Sequence, residues 1–428
     1  MIIEPIKKRF NKVMNMPGSK SLTVRALLLA SIAFGRSKIH NVLESDDTND
    51  CLFALKCLGI NIEKQGDDAC VVDGCGGDFK IKNNINIFVG NSGITARFLL
   101  GIIVGVLARS HKEISIVMDC GAQMKNRTIK PLVDSLLNIG AKIEYLEKDG
   151  FFPLLVKSNQ LNPSKICVSG AISSQYVSSV LMMAPLLNND VNIEVTDIDA
   201  ENHPYIKMAL KTMNDFGVDY LEISKNHYKI SPQSYKFTDF IVETDFNTAN
   251  YFFSIAAVAN SQVEIVNLNK NTLQPGILFL DVLAKMGCDV KYNANSITLI
   301  GPKKLKGGFK VDMFEMAEMA TTLAVLAVFA DAPIEITGIS HIRNHESDRI
   351  KAIATELKLA GIDVVEFDDG LIVNPNIPNR TSADTYDDHR IAMSLAILGL
   401  GANGIELKNP SCVSKTCPDF FDYVSMLL

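Results

Sequence analysis

The chain has 428 residues, 47% of them hydrophobic and 21% charged, which is too apolar for disorder and longer than the roughly 250–300 residues at which a single core stops growing, so two folded domains are expected. A formal net charge of -6 with a pI near 5.7 excludes a broad basic surface for nucleic acid or for an anionic membrane. Any cations that matter are therefore local.

Taken from the N-terminus, "MIIEPIKKRF" lacks the apolar stretch of a signal peptide. Later apolar runs such as "TTLAVLAVFA" fall short of the roughly 18 residues that cross a bilayer. The nine cysteines are an odd number without a C-x-x-C pair. They read as reduced thiols of a cytoplasmic enzyme, with no metal site and no cofactor expected.

From residue 16 onward one repeat dominates. An amphipathic helix, a glycine and an alternating hairpin recur five times, with Gly59, Gly140, Gly217, Gly287 and Gly361 at intervals of 70 to 81 residues. Glycine recurs because helices commonly end on a left-handed residue, which only glycine adopts without steric cost. Between these copies runs a second helix type, apolar on nearly every face. Its entries lie near Lys20, Ser92, Ser173, Asn247, Glu318 and His389. A helix apolar all round is buried, so six units are expected, each with one buried and one half-exposed helix on strands. The last half-exposed helix, "PDFFDYVSMLL", ends the chain, and its missing hairpin is expected from the N-terminal segment.

The entries of the buried helices carry cations. A helix N-terminus offers free N–H groups and a positive dipole end; capping by Ser, Asn or Asp accounts for Asn247 but not for Lys20, Arg25, Arg97 or Arg390. Ser21 and Arg25 are four residues apart, so they share a helix face beside Lys20 and form a compact clamp for phosphate or carboxylate. A P-loop is not present, since "NKVMNMPGSKS" lacks both required glycines.

In order, "PGSKSLTVRALLLA", "GNSGITARFLL", "KNRTIKPLVDSLLNIGA", "GAISSQYVSSVLMMAPLL", "HESDRIKAIATELKLAG", "YDDHRIAMSLAILGL" and "CVSKTCPDFF" resemble the successive signatures of the 5-enolpyruvylshikimate-3-phosphate synthase family. The resemblance implies an α/β fold, the two-domain inside-out α/β barrel of enolpyruvyl transferases, with six βαβαββ units, three per domain. It implies domain I from 1–19 and 241–428, domain II from 20–240, and an active site in the interdomain cleft of a monomer. The implied reaction moves the enolpyruvyl group of phosphoenolpyruvate to the 5-hydroxyl of 3-phosphoshikimate and releases phosphate. Together these substrates carry about six negative charges, since a phosphate monoester contributes nearly two; arginine suits such anions through its two-pronged donors.

By resemblance, Lys20, Ser21, Arg25, Ser173, Ser174, Gln175, Asn202, Tyr205, Glu318, His341 and His345 hold 3-phosphoshikimate. Lys20, Asn91, Gly93, Arg127, Gln175, Arg349, Arg390 and Lys415 hold phosphoenolpyruvate. Glu318 is implied as base toward the 5-hydroxyl, and Glu346 with Lys20 as the source of the proton delivered to the methylene carbon, with His389 assisting. The commoner family pattern has Asp at 318, Asn at 341, Lys at 345 and Ser at 202, and Ile94 and Thr128 also depart from it beside the phosphoenolpyruvate positions. Two rival readings stay open at this level: transfer to UDP-N-acetylglucosamine through a loop cysteine, and a catalytically silent binding protein. Cys120 precedes Arg127 but follows the strand-like "ISIVMD", so a buried structural thiol is expected there.

Overall fold

A computed structural model describes residues 1–66, 68–81 and 85–428. The chain divides into two compact units, Met1–Pro17 with Thr244–Leu428, and Gly18–Glu243.

In the Gly18–Glu243 unit the middle repeat is the simplest. Strand Ile85–Phe88, helix Gly93–Arg109, strand Ser115–Asp119, helix Lys130–Asn138 and the hairpin Lys142–Tyr145 with Leu154–Lys157 follow one another. The first two strands pair in parallel, the fourth pairs antiparallel with the second, and the third takes the edge. The repeat from Lys165–Ser169 to His227–Ile230 has the same order. The first repeat begins with helix Lys20–Ile32 and lacks an opening strand of its own. Asp239–Ile241 fills that place, parallel to Phe34–His40, so the end of the unit closes its beginning.

The other unit closes differently. Asn11–Met14 opens the fourth repeat, parallel to Gln262–Val266, and the fifth repeat, Phe309–Asp312 to Gly370–Val373, is complete in itself. The sixth was expected to borrow a hairpin from the N-terminus; it receives only Ile2–Ile3, antiparallel to Ile405–Leu407. The reason is local: Pro5 has no N–H to give to a ladder, and by Phe10 the backbone already bonds Gln262 and Ser261 of the fourth repeat.

Helices form the middle of each unit and sheets its outside. Every residue of Gly93–Arg109 except Arg109 is buried, and so is every residue of Ala320–Val328. Helix Gly93–Arg109 packs on both Lys20–Ile32 and Ser174–Met183; helix His389–Gly401 packs on both Phe246–Val258 and Ala320–Val328. Each fully buried Leu or Ile in these layers contributes roughly 1.5–3 kcal/mol. One close approach bears on the site: a Cβ at Gly101 would collide with Ser179 Oγ, so only glycine lets helix Ser174–Met183 lie this near. The five repeat glycines, Gly59, Gly140, Gly217, Gly287 and Gly361, all have positive φ between 73° and 96°, as the C-cap argument requires.

Two helix entries differ from expectation. Asn247 is not the cap of its helix; Asp245 is, accepting from Thr248 N at 2.8 Å. Glu318 does not open a helix, because the α-helix begins at Ala320 and a 3-10 segment, Phe314–Met319, with a break at Met316 precedes it. Among the described residues no helix is long and apolar enough to cross a membrane.

Candidate active site

In the Gly18–Glu243 unit Lys20, Arg25 and Arg97 lie in the first two turns of buried helices, and the groups around Arg25 are neutral. Arg25 is buried, donates to Ser21 O at 3.1 Å and to Tyr205 O at 3.2 Å, and also bonds Ser21 Oγ. Its guanidinium lies over the Phe98 ring at 4.8 Å. Burial pushes the Arg25 pKa down to about 10, so it stays charged at neutral pH, and an arriving anion would restore what the lost hydration took away. Arg97 donates to Gln175 Oε1 at 2.7 Å and stacks over Tyr176 at 5.2 Å. The Arg127 guanidinium lies against Gly93, where an added Cβ would come within 3.0 Å of it.

Lys20, by contrast, is paired with Asp47 at 2.8 Å. Asn91 Oδ1 accepts from Gln123 N at 3.1 Å, bracing the loop ahead of Arg127. Ser173 caps its helix, its hydroxyl accepting from Gln175 N at 3.3 Å, with Ser174 and Gln175 half-buried beside it. Asn202 is exposed and its amide donates to Asp199 Oδ2 at 3.1 Å. Cys120 is buried, and burial pushes its thiol up to about 12, so it is a protonated, inert group.

The unit that carries residues 244–428 is built on carboxylates. Arg349, buried at the start of helix Arg349–Leu359, donates to Asp388 Oδ2 at 2.8 Å and Oδ1 at 3.2 Å, to Glu346 Oε2 at 2.7 Å and to Glu318 Oε2 at 3.1 Å. Glu318 also pairs with Arg390, whose NH1 donates to Tyr251 Oη at 3.3 Å. Lys415 Nζ lies 3.9 Å from Glu346 Oε1. Burial pushes the Glu318 carboxyl up, but Arg390 and Arg349, with His345 beyond them, more than reverse this and hold it well below the usual carboxylate range. Burial would lower the Arg349 pKa, yet Asp388, Glu346 and Glu318 together raise it well above the ordinary value.

Both histidines that replace the commoner family residues lie here. His345 Nδ1 is 3.0 Å from an Arg349 N–H and 3.9 Å from Glu318 Oε1. The His341 ring meets that of His345 edge-on at 5.9 Å, and burial lowers its pKa. His389 is buried, its Nδ1 3.8 Å from Asp388 Oδ1.

Two groups escaped the reading of the sequence. Asp388 was visible only as part of "DDHR", yet it caps helix His389–Gly401 by accepting from Arg390 N at 2.9 Å while gripping Arg349. Acidic residues at N-caps are the available signal. Asp47 pairs with Lys20 from the first turn of another helix, Asp46–Cys57, and nothing local announces that contact. The chain thus gathers Lys20, Arg25, Arg97 and Arg127 within one unit, and Glu318, Glu346, Arg349, Arg390 and Lys415 within the other.

Comparison with known proteins shows the family and the fold. The family model described as EPSP synthase (3-phosphoshikimate 1-carboxyvinyltransferase) matches residues 5–424. A relative from Halalkalibacterium halodurans described as 3-phosphoshikimate 1-carboxyvinyltransferase 2 is 40% identical over 99% of this chain and 93% of its own length. One from Histophilus somni described as 3-phosphoshikimate 1-carboxyvinyltransferase is 37% identical over 98% and 97%. Among solved structures, an EPSP synthase from Acinetobacter baumannii superposes with a TM-score of 0.83 at 23% identity, covering 100% of this chain and 97% of its own. The enolpyruvyl transferase NikO from Streptomyces tendae gives 0.78 at 17%, covering 100% and 96%; both show the fold. Matched by the family model over residues 5–424 and by a relative 40% identical over 99% of its length, the chain belongs to the EPSP synthase family of 3-phosphoshikimate 1-carboxyvinyltransferases.

Proposed function

We propose that this chain transfers the enolpyruvyl group of phosphoenolpyruvate to the 5-hydroxyl of 3-phosphoshikimate, forming 5-enolpyruvylshikimate 3-phosphate and phosphate, a step toward chorismate and the aromatic amino acids. The observation that carries the reading is the carboxylate pair Glu318 and Glu346 bound to one buried arginine, Arg349. A protein that only bound anions would gain nothing from carboxylates among its cations, whereas this addition needs a proton taken from a hydroxyl and another given to carbon.

Arg25, Ser21, Ser173, Ser174, Gln175 and Tyr205 are the proposed seat of 3-phosphoshikimate, with His341, His345 and the exposed Asn202 at its edge. Lys20, Asn91, Gly93, Arg127, Arg349, Arg390 and Lys415 are the proposed seat of phosphoenolpyruvate. Without substrate the Glu318 carboxylate is a weak base, because Arg390 and Arg349 stabilise its charge. When the phosphate and carboxylate of phosphoenolpyruvate take those guanidinium groups, the stabilisation is shared, the Glu318 pKa climbs, and the carboxylate becomes able to accept the 5-hydroxyl proton. Glu346, with Lys20, is the proposed donor to the methylene carbon, and His389 supports the network from its buried place beside Asp388. The free state of all nine cysteines supports a cytoplasmic setting, and action as a monomer completes the reading.

The test is phosphate release from phosphoenolpyruvate with and without 3-phosphoshikimate, and with UDP-N-acetylglucosamine as the alternative acceptor. Release that requires 3-phosphoshikimate is expected. Release with the nucleotide sugar alone, or stoichiometric binding of both substrates without release, would overturn the assignment.

A further inference from the structure

On helix Arg349–Leu359, Arg349 and Glu356 lie two turns apart and so on one face. Both reach the same short stretch of chain. Arg349 grips Asp388, while the Tyr386 hydroxyl donates to Glu356 Oε1 at 2.7 Å. Between them, Asp387 Oδ1 accepts from Asn409 Nδ2 at 3.0 Å, and Asn409 immediately precedes the turn Pro410–Lys415. Asp388 in turn caps the helix that begins with His389 and Arg390. Three successive side chains therefore tie down the three segments that carry Arg349, Lys415 and Arg390.

The backbone is held in a costly shape to achieve this. Tyr386 and Asp387 have φ of 54° and 53°, the left-handed region that a bulky L-residue avoids. Glu356 is buried, and its Oε2 has no hydrogen-bond partner among the described residues. A fold selected for stability alone would favour an apolar pair at this spot, since a half-satisfied buried carboxylate is destabilising. Strain and an under-satisfied polar group beside reacting groups are a reason to look for a functional role.

We propose that Tyr386 and Asp387, acting through Glu356 and Asn409, are positioning residues that set the mutual spacing of Arg349, Arg390 and Lys415 for the anionic groups of phosphoenolpyruvate. This rests on the reaction assigned above. Neither residue touches substrate; each acts by fixing where a cation stands.

The experiment uses the full chain with Tyr386→Phe, Asp387→Gly and Asp387→Asn, measuring kcat, KM for each substrate, Tm, and the calorimetric Kd of phosphoenolpyruvate. Tyr386→Phe and Asp387→Gly are expected to lower kcat/KM for phosphoenolpyruvate about 10-fold, because small displacements of binding groups are expensive. KM for 3-phosphoshikimate is expected to stay within about twofold. Asp387→Gly suits the left-handed backbone and so does not lower Tm, which separates positioning from stability. Asp387→Asn keeps the acceptor and tolerates that backbone, so it is expected to restore the wild-type values. The proposal is overturned if Tyr386→Phe and Asp387→Gly both stay within twofold of wild type for phosphoenolpyruvate, or if KM rises equally for both substrates. A wild type that binds phosphoenolpyruvate but releases no phosphate would sink the assigned reaction, and the Kd ratios would still decide this proposal.

Discussion

Arg25 and Arg349 are each only 1% exposed, yet they are kept charged in opposite ways. Around Arg25 stand a hydroxyl, two carbonyls and a phenyl ring; around Arg349 stand Asp388, Glu346 and Glu318. The first arrangement leaves a positive charge whose balance must come from a ligand, and its pKa falls accordingly. The second is balanced before any ligand arrives, and its pKa rises. An anion would therefore meet Arg25 without a competing carboxylate, whereas at Arg349 it would have to compete with three. Division of this kind suits a reaction in which one substrate is held and the other is protonated, attacked and broken.

Substituting each arginine by methionine, which keeps much of the volume, tests the contrast most severely. Arg349→Met leaves three carboxylates without their common partner, and losing one member of a buried ion network costs about 3–5 kcal/mol. Turnover is expected to fall about 10³-fold, the range seen when a positioned donor to developing charge is removed. Arg25→Met removes hydrogen bonds donated by a charged group, worth about 1.5–3 kcal/mol each, but it also relieves the cost of burying that charge, and the methionine still packs on Phe98. Its stability is expected to fall by about 1–2 kcal/mol, while KM for 3-phosphoshikimate rises about 100-fold through loss of charge-assisted bonds. Denaturant unfolding and steady-state kinetics on both variants read these values. Equal stability losses would erase the distinction between the two halves.

This contrast was only partly legible in the sequence. The repeat was plain, because glycine at a helix C-terminus and a helix apolar on all faces are local signals: Gly59 to Gly361 each adopt the left-handed backbone, and helix Gly93–Arg109 is buried as its composition requires. The cations near helix entries were legible for the same reason, since Arg25 and Arg97 are charged residues within the second turn of helices that are otherwise apolar. Their counter-groups were not. Asp388 meets Arg349 from 39 residues away, and Asp47 meets Lys20 across two helices; such pairs exist only after the sheets have stacked. The left-handed Tyr386 and Asp387 were hidden too, because nothing in "TYDDHR" except the aspartate's tolerance of that region hints at it. Likewise the N-terminal segment could be placed in the same unit as the C-terminus, but not that it would give the sixth repeat a single strand, Ile2–Ile3, and its next strand, Asn11–Met14, to the fourth.

Glu318 sharpens the comparison through pH. Its carboxyl is held below the ordinary range in the folded state, so its contribution to stability is fully present above the unfolded carboxylate pKa of about 4.3 and is lost as pH falls through the lower, folded value. The stability difference between wild type and Glu318→Gln is therefore expected to be flat from neutral pH down to about 5 and to shrink only below about 4. Over the same series turnover at neutral pH is expected to drop about 10²–10³-fold, as for loss of a general base. Urea unfolding at several pH values decides the first point. A difference that changed near neutrality would mean that the titrating group is not this carboxylate but one of the neighbouring histidines.

Gly93→Ala carries the smallest expected effect and probes the Gly18–Glu243 unit alone. The new methyl would stand 3.0 Å from the Arg127 guanidinium and 3.6 Å from that of Arg97, both being the far ends of flexible side chains, so they yield by a few tenths of an ångström with no backbone shift. Gly93 is also the first residue of its helix, where alanine is at least as favourable as glycine. KM for phosphoenolpyruvate is expected to rise about 3- to 10-fold with Tm unchanged or slightly higher, a displacement penalty without a folding penalty. Steady-state kinetics beside a thermal melt separates the two. A lowered Tm would show instead that the methyl strains the helix entry, and that this entry is as tightly coupled to the fold as the carboxylate network around Arg349.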